Sequence, residues 1–193
     1  MSRKSICLTP LFAAFIVAEC ALCLGADKIY WSSSRPTEQI TRANLDGSGV
    51  ETVLTVPSPQ GFGGIACDVA HGFFYSGDYD YLFRADLNAD LKGLTRVNLI
   101  LTHVHAVKLD LAAGKVYWSN TLQSDTTNRA ILRANLDGTN VEKVASVDQY
   151  ALVFSLALDP SAGKVYYTLG DGRTFSRFAG QTWMGPAAAF LGP

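Results

Sequence analysis

An all-β fold of successive four-stranded sheets, a β-propeller, is predicted by three observations. Apolar and aromatic runs of 5 to 7 residues recur, cut by Gly, Asp, Asn and Pro, and none sustains a helical period over 11 residues. Three kinds of run follow one another in a fixed order. Their markers share a period of roughly 43 residues, and a repeat of about 40–50 residues holding four strands is the size of one propeller blade.

Composition agrees with that class. Of 193 residues, 48% are hydrophobic, 11% aromatic and 17% charged, with 17 glycines, which suits short strands joined by tight turns and is too apolar for a disordered chain. The 16 Lys and Arg against 17 Asp and Glu give a net charge of −1. That balance removes the basic stripe a nucleic-acid or anionic-membrane binder needs.

Residues 1–25 read as a secretory signal peptide. Arg3 and Lys4 precede the apolar run Ile6 to Ala18, and small residues permit cleavage after Cys20, Cys23 or Gly25. Pro10 and Glu19 interrupt the run, which falls short of the roughly 20 residues of a spanning helix. Loss of the whole segment removes Cys7, Cys20 and Cys23 and leaves Cys67 alone. A disulfide framework is then not expected, and Cys67 reads as a small buried residue of an inner strand.

Residues 26–180 carry the repeats. The inner strand ends in aspartate: Gly64-Ile65-Ala66-Cys67-Asp68, Ala106-Val107-Lys108-Leu109-Asp110 and Leu156-Ala157-Leu158-Asp159. An aromatic strand follows: Lys28-Ile29-Tyr30-Trp31-Ser32, Gly72-Phe73-Phe74-Tyr75-Ser76, Lys115-Val116-Tyr117-Trp118-Ser119 and Lys164-Val165-Tyr166-Tyr167-Thr168. The third strand holds Arg42, Arg84 or Arg133, and two of its three copies run on into Asn-Leu-Asp-Gly, a tight-turn signal. Tyr30, Phe74, Tyr117 and Tyr166 are taken as equivalents, 44, 43 and 49 residues apart, with one insertion between Trp118 and Arg133. The first blade is expected to lack its inner strand, because Tyr30 follows the leader almost at once. The tail, residues 181–193, offers Thr182-Trp183-Met184 or Ala187 to Leu191 as a closing strand for that place.

The pairing of Tyr30-Trp31-Ser32-Ser33 and Tyr117-Trp118-Ser119-Asn120 with downstream Arg-Ala-Asn-Leu-Asp-Gly resembles the YWTD repeats (class B repeats) of the low-density lipoprotein receptor family, over Lys28 to Thr168. The resemblance implies an extracellular six-bladed propeller that acts as a binding platform without catalysis. About four blades are present here, so the ring is partial relative to the family form. The family's fourth motif position, aspartate, is Ser33, Gly77, Asn120 and Leu169 in this chain. A gene fragment, a small four-bladed ring, self-association and a completing partner all fit the short inventory.

Strand order places the loops after each second strand, and those leading into each inner strand, on one rim. These loops are longer and more varied than the opposite turns, and function concentrates on such loops. The ligand-binding candidates are Arg35, Tyr79, Gln123, Asp125, Arg129 and Tyr150, polar or aromatic residues that the repeat does not copy. His103 and His105, one residue apart, point to one side of a strand, and two histidines alone make a weak metal signal. Asp68, Asp110 and Asp159 are read as turn caps, and Arg42, Arg84 and Arg133 as structural because each blade repeats them. No catalytic, metal or cofactor residues are assigned. The expected function is a secreted, extracellular or periplasmic, non-catalytic module that binds a protein or peptide through the loop rim. The competing readings are a propeller-type hydrolase or lactonase with a central metal near His103, His105 and Asp110, and an inactive piece of a longer receptor-like protein.

Overall fold

The computed structural model describes residues 22–25, 28–33, 38–56, 63–77, 81–87, 95–96, 103–121, 129–147, 151–170 and 175–183. Fifteen strands and no helix occur among them. Sheet 1 is β1 (Leu22–Gly25), β2 (Lys28–Ser33), β3 (Glu38–Asn44) and β4 (Glu51–Val56), hydrogen-bonded in that order. Sheet 2 is β5 (Ile65–Asp68), β6 (Phe73–Gly77), β7 (Leu82–Asp86) and β8 (Thr95–Arg96). Sheet 3 is β9 (Val107–Asp110), β10 (Lys115–Asn120), β11 (Ala130–Asn135) and β12 (Glu142–Ser146), and sheet 4 is β13 (Leu152–Asp159), β14 (Lys164–Gly170) and β15 (Phe175–Trp183). Every pairing is antiparallel between consecutive strands.

The first strands sit side by side: β1 against β5, β5 against β9, and β9 against β13. Apolar side chains from facing sheets fill the three gaps. Tyr30 and Ile40 meet Ile65, Phe74 and Ala85 between sheets 1 and 2. Tyr75 and Leu82 meet Val107, Val116, Trp118 and Leu132 between sheets 2 and 3, and Tyr117 and Ile131 meet Val153, Leu156 and Val165 between sheets 3 and 4. Strand side chains alternate faces, so a sheet buried on both sides needs apolar residues at successive positions. Val116, Tyr117 and Trp118, at 0, 2 and 0% exposure, meet that need in β10.

The residues copied along the sequence are spent on holding each sheet. Arg42 lies opposite Tyr30 and Arg133 opposite Tyr117 in the ladder, and each arginine is hydrogen-bonded to that tyrosine and to a glutamate of the fourth strand. The ion pairs Arg42–Glu51 and Arg133–Glu142 measure 2.7 Å. The Glu51 bond foremost raises the pKa of Arg42, while at Arg133 burial opposes the charge and the bonds to Tyr117 and Glu142 outweigh it. Two turns are duplicates: Asp46 accepts from Ser48 N and Oγ at 2.9 and 2.6 Å, and Asp137 from Thr139 N and Oγ1 at the same distances. Gly47 and Gly138 supply the left-handed φ of 85° and 88° that these turns require. Asp68, Asp110 and Asp159 each cap the turn after the first strand, accepting from His71 N, Ala113 N and Ala162 N at 3.1, 3.0 and 2.9 Å.

Four expectations are corrected. Sheet 1 does have its first strand, because Leu22–Gly25 pairs with β2 in the register Leu22↔Trp31 to Gly25↔Lys28. Residues expected to leave with the leader thus form a strand. Thr182 and Trp183 do not fill that place; they end β15, opposite Val165 and Lys164. Met184 to Pro193, including Ala187 to Leu191, lie outside the described residues. Cys67 is not a free thiol but is disulfide-bonded, and the chain's other cysteines are Cys7, Cys20 and Cys23, so removing all of residues 1–25 would leave it no intrachain partner. Finally, the residue equivalent to Tyr30 and Tyr117 is Tyr75 rather than Phe74. Tyr75 lies opposite Arg84 and is hydrogen-bonded to it, as Tyr30 is to Arg42.

Candidate functional site

Only sheet 3 carries buried ionisable groups at its varied-loop end among the described residues. His103, Val104 and His105 lead into β9, Asn120 ends β10 and Thr121 follows it, Arg129 precedes β11, and Ala151 precedes β13 of the next sheet. Strand polarity brings all of them to one end. The corresponding approach to β5 is Gly63-Gly64, and it is glycine for a steric reason. A Cβ on Gly63 would land on the carbonyl oxygen of Val104, so sheets 2 and 3 close against each other only without a side chain there.

The cluster is tightly positioned. Thr121 donates from N and Oγ1 to the His103 carbonyl, both at 3.1 Å. Ser119 Oγ accepts from the His105 and Ala106 amides at 3.0 and 3.1 Å. These bonds fix the segment so that the two imidazoles lie 4.2 Å apart, tilted by 35°, with Phe154 of sheet 4 5.7 Å beyond His105. Arg129 is 7% exposed and its Nη1 donates to the Ala151 carbonyl at 2.9 Å, tying sheet 3 to sheet 4. Arg129 Nε and His105 Nε2 are buried without a hydrogen-bond partner in the structure.

Both histidines are held neutral near pH 7. Burial pushes His103 down to about 4, with the Arg129 charge adding to it; burial, then His103, then Arg129 push His105 down to about 4. Between about pH 4 and the ordinary 6.5 the unfolded chain therefore binds more protons than the native one, and stability falls as pH falls through that window. The melting temperature at pH 4.5 is expected to lie below that at pH 7, and the double variant His103→Gln/His105→Gln is expected to flatten the difference. Calorimetry over that range checks this; an unchanged melting temperature in the native sequence would contradict it.

Of the six candidate contacts, Arg35, Tyr79, Gln123, Asp125 and Tyr150 lie outside the described residues. Arg129 was expected on the loop surface and is instead buried, a correction that follows from its position beside the start of β11, where it packs under the approach to sheet 4. His103 and His105 do share a side, but Asp110 is at the other end of β9, capping Ala113 N, so the three do not converge. No group of three His, Cys, Asp or Glu side chains suited to a metal occurs among the described residues. Nor is any helix there long and apolar enough to cross a membrane.

No family model matches the chain, and no curated protein matches it. Solved structures do. A chain from a nidogen–laminin complex superposes with a TM-score of 0.66 at 21% identity, over 77% of this chain and 56% of that one. A gluconolactonase from Xanthomonas campestris gives 0.61 at 12% identity, over 78% and 53%, and a GH74 enzyme from Niastella koreensis gives 0.62 at 16% identity, over 83% and 27%. The likeness supports a propeller fold. The chain spans little more than half of the matched chain from the nidogen–laminin complex and of the gluconolactonase chain. The expectation that the protein is not an enzyme is corrected here, because structures of the same fold include two enzymes and the fold therefore does not argue against catalysis.

Proposed function

We propose that the chain is an exported, YWTD-type propeller segment, each sheet one blade, which takes a protein or peptide ligand on the rim formed by the loops around the approach to sheet 3. The observation that carries this reading is a division of labour among residues. Copied residues such as Tyr30, Arg42 and Glu51 are consumed in holding sheet 1, whereas the uncopied His105 and Arg129 collect at one rim, beside His103, with one buried nitrogen each left without a hydrogen-bond partner. Buried polar atoms without partners are rare in native proteins and call for an explanation, and at a loop rim, unlike at Trp118 in the core, an outside partner supplies one. The similar chain from the nidogen–laminin complex comes from a protein–protein assembly, which is consistent with this use of the fold.

The reading is tested by screening immobilised extracellular proteins and peptides with the native chain and with Tyr79→Ala, Gln123→Ala and Tyr150→Ala. At least one ligand is expected whose binding drops tenfold or more in a rim variant while the melting temperature holds. The control is Arg42→Gln, which is expected to lower stability by about 1 kcal/mol, since Glu51 is half exposed and water screens the pair, and to leave affinity unchanged. Ligand binding that follows Arg42 and Arg133 and ignores the rim would overturn the assignment.

A further inference from the structure

Among the described residues Arg129 is a charge without a counter-charge. A guanidinium cannot shed its proton at any ordinary pH, so a buried one is costly unless an anion or several acceptors surround it. Here it is 7% exposed, and one carbonyl, Ala151 O, is the acceptor it has. The ion pairs among the described residues join Arg42 to Glu51, Asp68 to His71 and Arg133 to Glu142, and none includes Arg129. The described ionisable side chains beside it, His103 and His105, offer no negative charge. A trapped water would satisfy Nε but would leave the charge standing.

The unused edge also has a shape. Nη1 is turned to Ala151, and the Nε–H remains, on the side of the guanidinium that receives a carboxylate in the two-bond, side-on arrangement. His105 Nε2, buried and also without a partner, adds an imidazole nitrogen that can donate in the neutral tautomer. Two unused nitrogens of one cluster, one of them permanently charged, describe the complement of an oxyanion.

We propose that Arg129 and His105 form a carboxylate-recognition site at the rim of sheet 3, which anchors an acidic side chain or the C-terminal carboxylate of a peptide ligand. This rests on the rim-binding reading and adds the chemistry of its anchor. Neither sheet 1 nor sheet 2 repeats the arginine at the corresponding position, immediately before the third strand: Glu38 of sheet 1 begins its strand at Thr37-Glu38, and Tyr81 precedes Leu82 in sheet 2. The arginine is therefore no part of what sheet 3 shares with sheets 1 and 2.

The test follows the Nε–H resonance of Arg129 by nuclear magnetic resonance in the full chain at constant ionic strength. Two probes separate the two carboxylate sources: acetyl-Gly-Glu-Gly-amide, with its acid on the side chain, and acetyl-Gly-Gly with a free C-terminus. At least one is expected to shift the resonance saturably, with acetyl-Gly-Gln-Gly-amide inert. Arg129→Lys keeps the charge but lacks the fork, and His105→Gln removes the imidazole; each is expected to weaken the responding probe at least fivefold, read by titration calorimetry, with the fold verified by the native melting profile. Linear, unsaturable shifts with both probes, or equal affinity in Arg129→Lys, would overturn the site. If a rim ligand from the protein screen binds Arg129→Gln as tightly as the native chain, this site falls while the rim reading stands.

Discussion

Trp118→Ala is expected to cost about 3–5 kcal/mol, the range for emptying a large aromatic from a packed interior. The ring is fully buried between sheets 2 and 3, among Tyr75, Leu82, Val107, Val116 and Leu132. Those neighbours belong to strands of two different sheets, which cannot collapse independently to refill the space. Trp118→Phe should be much milder. It removes less area, and it also removes Nε1, a buried donor with no hydrogen-bond partner in the structure, whose desolvation is already a cost. Leu45→Ala, at a position 57% exposed, serves as the control and is expected to stay within about 0.5 kcal/mol of the native chain. Urea unfolding followed by fluorescence and circular dichroism reads all three. A Trp118→Ala loss no larger than the control would contradict the packing of sheet 2 on sheet 3.

Reduction of the disulfide at Cys67 is expected to lower stability by about 2–4 kcal/mol, with Cys67→Ser giving a similar loss. The other cysteines lie at positions 7, 20 and 23, so the closed loop spans at least 44 residues, and long loops confine the unfolded chain most in the chain-entropy view. The bond also bears on export. Of the cuts after Cys20, Cys23 and Gly25, the first alone keeps all of β1 together with one further cysteine, Cys23. On the proposal that the chain is exported, the mature protein is expected to begin at Ala21 and to show no free thiol under denaturing conditions. A mature terminus at Ala26 with one titratable thiol would contradict both the strand and the bond.

The repeat is legible because most of the sheets use the same parts. Asp at the end of a first strand, Tyr opposite Arg, and Asp-Gly at a turn are local solutions to local problems, so they recur at a fixed spacing and can be read without coordinates. Register was less legible. In Gly72-Phe73-Phe74-Tyr75 three aromatics run together, and only the pairing of Tyr75 with Arg84 decides which of them faces sheet 3. Leu22–Gly25 fits a leader as well as a strand, because small and apolar residues suit a cleavage site and a first strand equally. β15 escaped notice because Phe175 to Trp183 has no clean alternation, and its ladder is interrupted by register shifts opposite Tyr166–Tyr167 and Thr168–Gly170. Arg129 could be named as a polar loop residue but not as a buried one, since the carbonyl it bonds, that of Ala151, lies 22 residues away at the start of the next sheet.

The central claim is that successive sheets stack face to face in chain order, so that one rim gathers the approaches to neighbouring first strands. Nuclear Overhauser contacts between side chains test it most directly. Cross-peaks are expected between the Tyr30 and Phe74 rings, whose centroids lie 6.2 Å apart, between Tyr75 and the residues beside the Leu136 carbonyl it bonds at 3.1 Å, and between Ile131 and Val165. Contacts confined to residues of a single sheet, with none across these three gaps, would contradict the stacked arrangement and the rim that depends on it.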